Sequence, residues 1–216
     1  MVGINLEIVR LENICQEFNG NTVIENINFS INDGEMVAIM GKSGKGKTTL
    51  LNIMGLISKP SEGDLYLFNK KNVDIHSKEA MLLRRNKIGY LFQNYGLVED
   101  ETVKWNLNIA LEYKKLSKNE RVQKIKEALK MLHLEKLMDK HVYKLSGGEQ
   151  QRIAMLKLYL QESQLILADE PTGSLDIENR DVIIQMLKDF NNEGNTIVIV
   201  THDNHIAQTC SRVINI

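Results

Sequence analysis

The string GKSGKGKT at residues 41–48 fits the pattern G-x-x-x-x-G-K-[ST] in full. Gly41, Gly44 and Gly46 admit backbone angles that other residues avoid, so the successive N–H groups of Lys42, Ser43 and Lys45 can wrap phosphate oxygens. Lys47 supplies a point charge to the β- and γ-phosphates of a nucleotide. Thr48, with Thr49 beside it, supplies a hydroxyl to Mg²⁺. A chance glycine-rich turn is the plain alternative, but an apolar run precedes the loop and a helix-forming run follows it. A second candidate is LILADE at residues 165–170, an apolar run that ends in Asp169 and Glu170. Such a run delivers its carboxylates to the carboxyl end of a parallel sheet, where ligands bind in open α/β folds. Asp169 is expected to hold Mg²⁺, mostly through water, and Glu170 to polarise an attacking water as general base. A third is LSGGEQQR at residues 145–152. Ser146, Gly147, Gly148 and Glu149 open a helix there, and the glycines leave N–H groups uncovered, so the string is built to meet an anion.

These groups need elements to hold them. Residues 36–40 (MVAIM) are short and wholly apolar, as in a strand buried on both faces, and a helix is expected from near Thr48 to about Ile57. Residues 165–168 and 196–200 also read as buried strands, and residues 65–68 and 88–92 as further strands. Residues 6–18 and 22–31, separated by Asn19-Gly20-Asn21, predict an antiparallel pair. From Val103 to about Leu160 the pattern turns helical. Ser117 and Glu120 form an S-x-x-E capping box there, with Val122, Ile125, Ala128, Leu129 and Leu132 following at helical spacing. Residues 181–190 predict an amphipathic helix that stops near Gly194. The layout is one α/β core interrupted by a helical insertion at about residues 95–160, without repeats or linkers.

With 27 basic and 28 acidic residues among 216, the net charge of −1 gives no reason to expect a nucleic-acid partner. Cys15 and Cys210 lack any metal-binding spacing and read as buried thiols of a reducing compartment. No apolar run approaches the ~18 residues of a membrane helix, and no signal peptide is visible. The expectation is a cytoplasmic chain whose membrane partner, if it has one, is another polypeptide.

The phosphate loop, Gln93, LSGGEQQR, the ADEPTGSLD run and His202 stand in the order and spacing of an ATP-binding cassette (ABC) transporter nucleotide-binding domain, and the chain resembles that family over essentially its whole length. The resemblance implies a P-loop NTPase fold of the α/β class with a RecA-like core, an N-terminal antiparallel β subdomain and an α-helical subdomain, all within one domain of residues 1–216. It implies ATP and Mg²⁺ as ligands. Gln93 resembles the glutamine that senses Mg²⁺ and the γ-phosphate and links to the membrane subunit. Ser174-Leu175-Asp176 resembles the loop that crosses a dimer interface. His202 resembles the histidine that contacts the γ-phosphate, and Phe18 sits where the family stacks an aromatic on adenine. The implied catalytic set is Glu170, His202, Lys47 and Gln93, and the implied metal set is Thr48, Gln93 and Asp169. In the family, the signature residues Ser146, Gly147 and Gly148 meet the γ-phosphate held by a second copy, so a head-to-tail homodimer is implied.

A separate integral membrane permease is the other implied partner, docking near residues 93–98. Tyr95, Leu97 and Val98 are candidate contacts there, or else pack within the helical insertion. Leu83-Arg84-Arg85, residues 88–93 and the pairing of LSGGEQQR with LADEPTGSLD look like the lipoprotein-release and macrolide-exporter group. Residues 93–99 resemble bacteriocin exporters of the lactococcin type. This implies export of a peptide, an antimicrobial or a lipoprotein. A cell-division-type ATPase that gates cell-wall hydrolases would use the same chemistry without transport, and stays open. Translation factors of the superfamily carry two cassettes per chain, and chromosome-maintenance types insert hundreds of residues where this chain has about 100, which argues against both. LSGGEQQR argues against a simple P-loop kinase. No NKxD string points to guanine. His76, His133, His141 and His205 read as surface or packing residues. Two departures from the family pattern stand out. Lys42 and Lys45 add charge to the phosphate loop, and Leu156-Lys157-Leu158 replaces the usual alanine–arginine pattern, a change expected to affect packing more than chemistry.

Overall fold

The structure, a computed structural model, describes residues 6–42, 44–173 and 176–216. In chain order, β1 (Glu7–Phe18) and β2 (Asn21–Asn32) form an antiparallel hairpin with Phe18 opposite Asn21. The two loop residues, Asn19 (φ 51°) and Gly20 (φ 79°), are both left-handed, as a hairpin loop of this length demands. Then come β3 (Met36–Met40), α1 (Lys47–Met54), β4 (Glu62–Leu67), β5 (Lys70–Lys71), α2 (Lys78–Asn86) and β6 (Ile88–Leu91). The helical region holds α3 (Val103–Leu111), α4 (Lys118–Met131) and α5 (Gly147–Gln161). The chain closes with β7 (Leu165–Asp169), α6 (Ile177–Asn192), β8 (Thr196–Val200), α7 (Asn204–Ala207) and β9 (Arg212–Asn215).

Among the described residues the strands form a four-stranded antiparallel sheet, β2-β1-β4-β5, and a five-stranded sheet, β6-β7-β8-β3-β9, whose pairings are all parallel. Successive residues of a strand point to opposite faces. The parallel sheet uses both faces. Val37, Ile39, Leu165, Leu167, Val198 and Val200 enter a core shared with β1, β4 and α1, while Met36, Ile166, Ala168, Ile197 and Ile199 enter a second core shared with α3, α4, α5 and α6. Burial on both faces is why these strands are apolar without alternation. Truncating a fully buried Leu167 to Ala would cost about 2–5 kcal/mol.

The strand and helix expectations meet the structure with instructive differences. Helix α1 stops at Met54, short of Ile57: Leu56 turns left-handed (φ 56°) and the Ile57 N–H reaches back five residues to the Asn52 carbonyl (2.8 Å). Helix α6 starts at Ile177 rather than Asp181, because the Asp176 carboxylate accepts the Asn179 N–H and caps it. β5, α2, α7 and β9 have no counterpart among the elements expected from sequence. Helix α2 buries only Ala80 and Leu83, too little to write a helical stripe, and β9 is an exposed edge strand.

Candidate nucleotide-binding and catalytic site

Strands β6, β7, β8 and β3 are neighbours and run in one direction, so their carboxyl ends share one edge of the sheet. Each end delivers something. The phosphate loop leaves β3, Asp169 closes β7 with Glu170 next, His202 lies two residues past β8, and Gln93 two residues past β6. These groups line one cavity of about 670 Å³, together with Val23, Gly44, Gly46, Thr49, Gly173 and Val200. In an open parallel sheet this is where ligands bind.

The loop is shaped for backbone approach. Gly44 and Gly46 are left-handed (φ 79° and 80°), and a Cβ on Gly46 would stand 2.6 Å from the Ile24 side chain, so only glycine fits there. Lys47 is 9% exposed, and its Nζ donates to the carbonyls of Gly41 (2.9 Å) and Lys42 (3.1 Å). The ammonium is thereby folded over the loop it would share with a phosphate. Phe18 is half exposed at the end of β1 and is not part of the cavity lining; Gly41, Lys42 and Lys45 also lie outside that lining. Ser43, Ser174 and Leu175 lie outside the described residues.

Asp169 is 4% exposed and accepts a hydrogen bond from the Thr48 hydroxyl (3.2 Å). Burial pushes its carboxyl above the ordinary aspartate range, and neighbouring Glu170 pushes the same way, against the hydroxyl bond and the charge of Lys47. The donors at this point are oxygens: a hydroxyl, one carboxylate and the amide of Gln93 in the same cavity. That set suits Mg²⁺, which binds one or two carboxylates and takes its remaining ligands from water and phosphate. A buried carboxylate short of counter-charge is where a cation fits.

Glu170 occupies the left-handed region (φ 46°), which for a side chain other than glycine costs on the order of 1–3 kcal/mol. Its N–H bonds to the Val200 carbonyl (2.9 Å), which holds the turn. His202 Nδ1 stands 2.8 Å from one Glu170 carboxylate oxygen, a distance at which the ring N–H donates to it, and the Thr201 hydroxyl donates to the other oxygen (3.4 Å). The carboxylate is thus aimed into the cavity by two side chains from the next strand's end.

The signature residues are elsewhere. Ser146 caps α5: its hydroxyl accepts the Glu149 N–H (3.3 Å), while Glu149 accepts the Ser146 N–H (2.8 Å). This leaves the first-turn amides of Gly147 and Gly148 at the positive end of a fifteen-residue helix. None of these residues, nor Asp176, lines the cavity. The structure therefore gathers Lys47, Thr48, Thr49, Gln93, Asp169, Glu170 and His202 in one place and holds Ser146–Glu149 apart. Three contacts escaped the sequence reading. Gln151, buried on α5, donates to the Pro171 carbonyl (2.7 Å) just past Glu170. Arg152 donates to the Asn179 side chain (2.7 Å), which in turn donates to the Asp176 carboxylate (2.8 and 3.0 Å). Polar residues on a buried helix face were the available signal for the first two. Asn179 carried none. Of the proposed docking residues, Tyr95 and Leu97 pack against the helical core, whereas Val98 is exposed.

Comparison with known proteins follows the same lines. The sequence profile of the ABC transporter family matches residues 24–173. The chain is 41% identical over 210 residues to the macrolide export ATP-binding/permease protein MacB of Campylobacter jejuni, covering 97% of this chain but 33% of that protein, so it spans about a third of that relative's length. It is 40% identical over 216 residues to the ABC transporter ATP-binding protein MJ0796 of Methanocaldococcus jannaschii, covering 96% of this chain and 92% of that one. A dimeric MJ0796 structure in a post-hydrolysis state with ADP and Pi superposes with a TM-score of 0.89 at 37% identity, over 96% of this chain and 94% of the other. CbiO1 of Clostridium perfringens, part of an ABC transporter complex, gives a TM-score of 0.82 at 31% identity, over 97% and 84%.

Proposed function

The chain belongs to the ABC transporter family, as an ATPase, and from that premise we propose that two copies close head to tail around two ATP molecules and drive a separate membrane permease. One observation carries the reading. The groups suited to hold and cleave a triphosphate line one cavity, while the helix end of Ser146–Glu149, suited to an anion, is not part of that lining and is left to serve a second chain. MJ0796 is dimeric in its solved structure, which supports a pair of copies here.

In this mechanism the loop amides and Lys47 grip the β- and γ-phosphates, and Phe18 stacks on the adenine. Thr48, Asp169 and Gln93 would hold Mg²⁺, which would supply positive charge against the phosphates. Glu170 takes a proton from the water that attacks the γ-phosphorus, as the bond to ADP breaks. His202, already hydrogen-bonded to Glu170, orients that carboxylate and can turn toward the γ-phosphate. Ser146 and the amides of Gly147 and Gly148 of the second copy stabilise the charge that develops on the transferred oxygens. ATP binding selects the closed pair and loss of the γ-phosphate releases it.

The permease is proposed to dock beside the exposed Met81, Phe92, Val98 and Tyr113, next to the cavity between α2, α3 and α5. Similarity to MacB supports export as the process driven, and a macrolide-like antimicrobial, a peptide or a lipoprotein is the proposed cargo class. Glu170→Gln tests this. Steady-state ATP hydrolysis should fall by at least about 10²-fold, and the variant, purified from solubilised membranes in ATP, should retain a permease with few membrane helices. Retention of ribosomal or DNA-bound proteins without a membrane protein would overturn the transport reading.

A further inference from the structure

The loop carrying Gln93 is fastened at both ends, and to different parts of the molecule. Upstream, Phe92 stacks on Tyr90 (centroids 4.1 Å apart), and the Tyr90 hydroxyl donates to Asn52 of α1 (2.8 Å), so this end belongs to the core. Downstream, the fully buried Asn106 of α3 accepts the Val98 N–H (2.8 Å) and donates to the Val98 carbonyl (3.0 Å). Between them Tyr95 and Gly96 are both left-handed (φ 67° and 63°), and a Cβ on Gly96 would come within 2.6 Å of the Phe92 ring. The turn is therefore compact, and it leans on α5 at two places. A Cβ built on Gly147 would stand 3.0 Å from the Tyr95 hydroxyl, so the tyrosine occupies the space a side chain would need. Ten residues on, about 15 Å along the helix axis, the Lys157 ammonium donates to the Gly96 carbonyl (2.9 Å).

Lys157 is not a casual surface lysine. Burial pulls its ammonium below the ordinary lysine range, which is a cost to the fold. An aliphatic side chain would fill the place without that cost, so the bond to Gly96 is what the position gains from a charge. The same residue lines the cavity between α2, α3 and α5 with Arg84 and Tyr113. The expectation that residues 156–158 affect packing more than chemistry does not account for this contact.

We propose that Lys157 is a positioning residue that latches the Gln93 loop to the signature helix, so that Gln93 of one nucleotide site and Ser146 of the opposite site are held in fixed relation. This rests on the head-to-tail reading above. Because Gln93 serves the chain's own nucleotide and Ser146 the partner's, the latch ties the two sites of the dimer to each other and to whatever occupies the adjacent cavity.

The test uses the full chain carrying Glu170→Gln. Sedimentation velocity measures ATP-driven dimerisation, and amide hydrogen exchange reports on residues 94–98 without nucleotide. Adding Lys157→Met should raise the dimer dissociation constant at least tenfold and speed exchange at residues 94–98 at least tenfold. Monomer affinity for a fluorescent ATP analogue should stay within twofold, and Lys157→Arg should restore both changed readouts to within threefold. Lys157→Gln takes the place of the methionine variant if that one loses its helical circular dichroism. Dimerisation as tight as in the parent chain would overturn the proposal. Failure of the parent itself to dimerise would overturn the head-to-tail reading instead, and exchange would then decide the latch: unchanged rates at residues 94–98 would overturn it too.

Discussion

At the residue scale the site is a set of groups placed where their environment costs stability. Asp169 shows this most directly. Its folded-state carboxyl titrates above its ordinary value near 3.8, mainly through burial. Above that value the unfolded chain ionises freely and the folded chain does so at a cost, so the nucleotide-free fold loses stability as pH rises through the window between the two. Asp169→Asn removes the cost. In thermal melts without nucleotide it should melt higher than the wild type at pH 7, with the gap narrowing at pH 4, while ATP hydrolysis is lost. A lower melting temperature at pH 7 would show that the carboxylate stabilises the empty site. Lys45 is a contrasting case. It is exposed and stands against β2 rather than on the main cavity. Its charge should add less than about 1 kcal/mol to ATP affinity, so Lys45→Ser should weaken binding modestly in a titration with a fluorescent analogue. Unchanged affinity would mean the charge is merely solvated.

At the element scale, two helices begin with the same device and differ in what the device is for. Ser117–Glu120 and Ser146–Glu149 are both complete capping boxes. Removing either serine should cost about 1 kcal/mol of stability. Ser117→Ala should leave ATP turnover unchanged, whereas Ser146→Ala should lower it as well, because that helix end is proposed to face a phosphate. Equal turnover in the two variants would reduce Ser146 to a cap. The comparison also shows what was legible. Strands β3, β7 and β8 are readable because burial on both faces leaves near-continuous apolar runs, with polar residues only at the ends (Asp169, Thr196), and the Ser117 cap because four residues encode it. The short helix α2 and the edge strand β9 write no such pattern: one buries two side chains, the other pairs along one side only. Within the site, Lys47, Thr48, Asp169 and Glu170 sit in contiguous motifs. The contacts of Gln151, Arg152, Asn179 and Lys157 join residues far apart in sequence, and no local spacing announces them.

At the scale of the whole molecule, one parallel sheet organises everything. Its strand order sets four motif-bearing ends side by side, its two faces feed two cores, and α5, packed on one of those cores, carries Ser146–Glu149 outside the cavity lining. Among the described residues no helix is long and apolar enough to cross a membrane. Whether each site is divided between two copies is decided by nucleotide-dependent sedimentation with bound-nucleotide counting. The Glu170→Gln chain in ATP should run as a dimer holding about one ATP per chain. Adding Ser146→Arg, which fills the helix end without touching the cavity, should leave a monomer that still binds ATP. A dimer that forms equally well with Ser146→Arg, or loss of ATP binding by its monomer, would contradict the account.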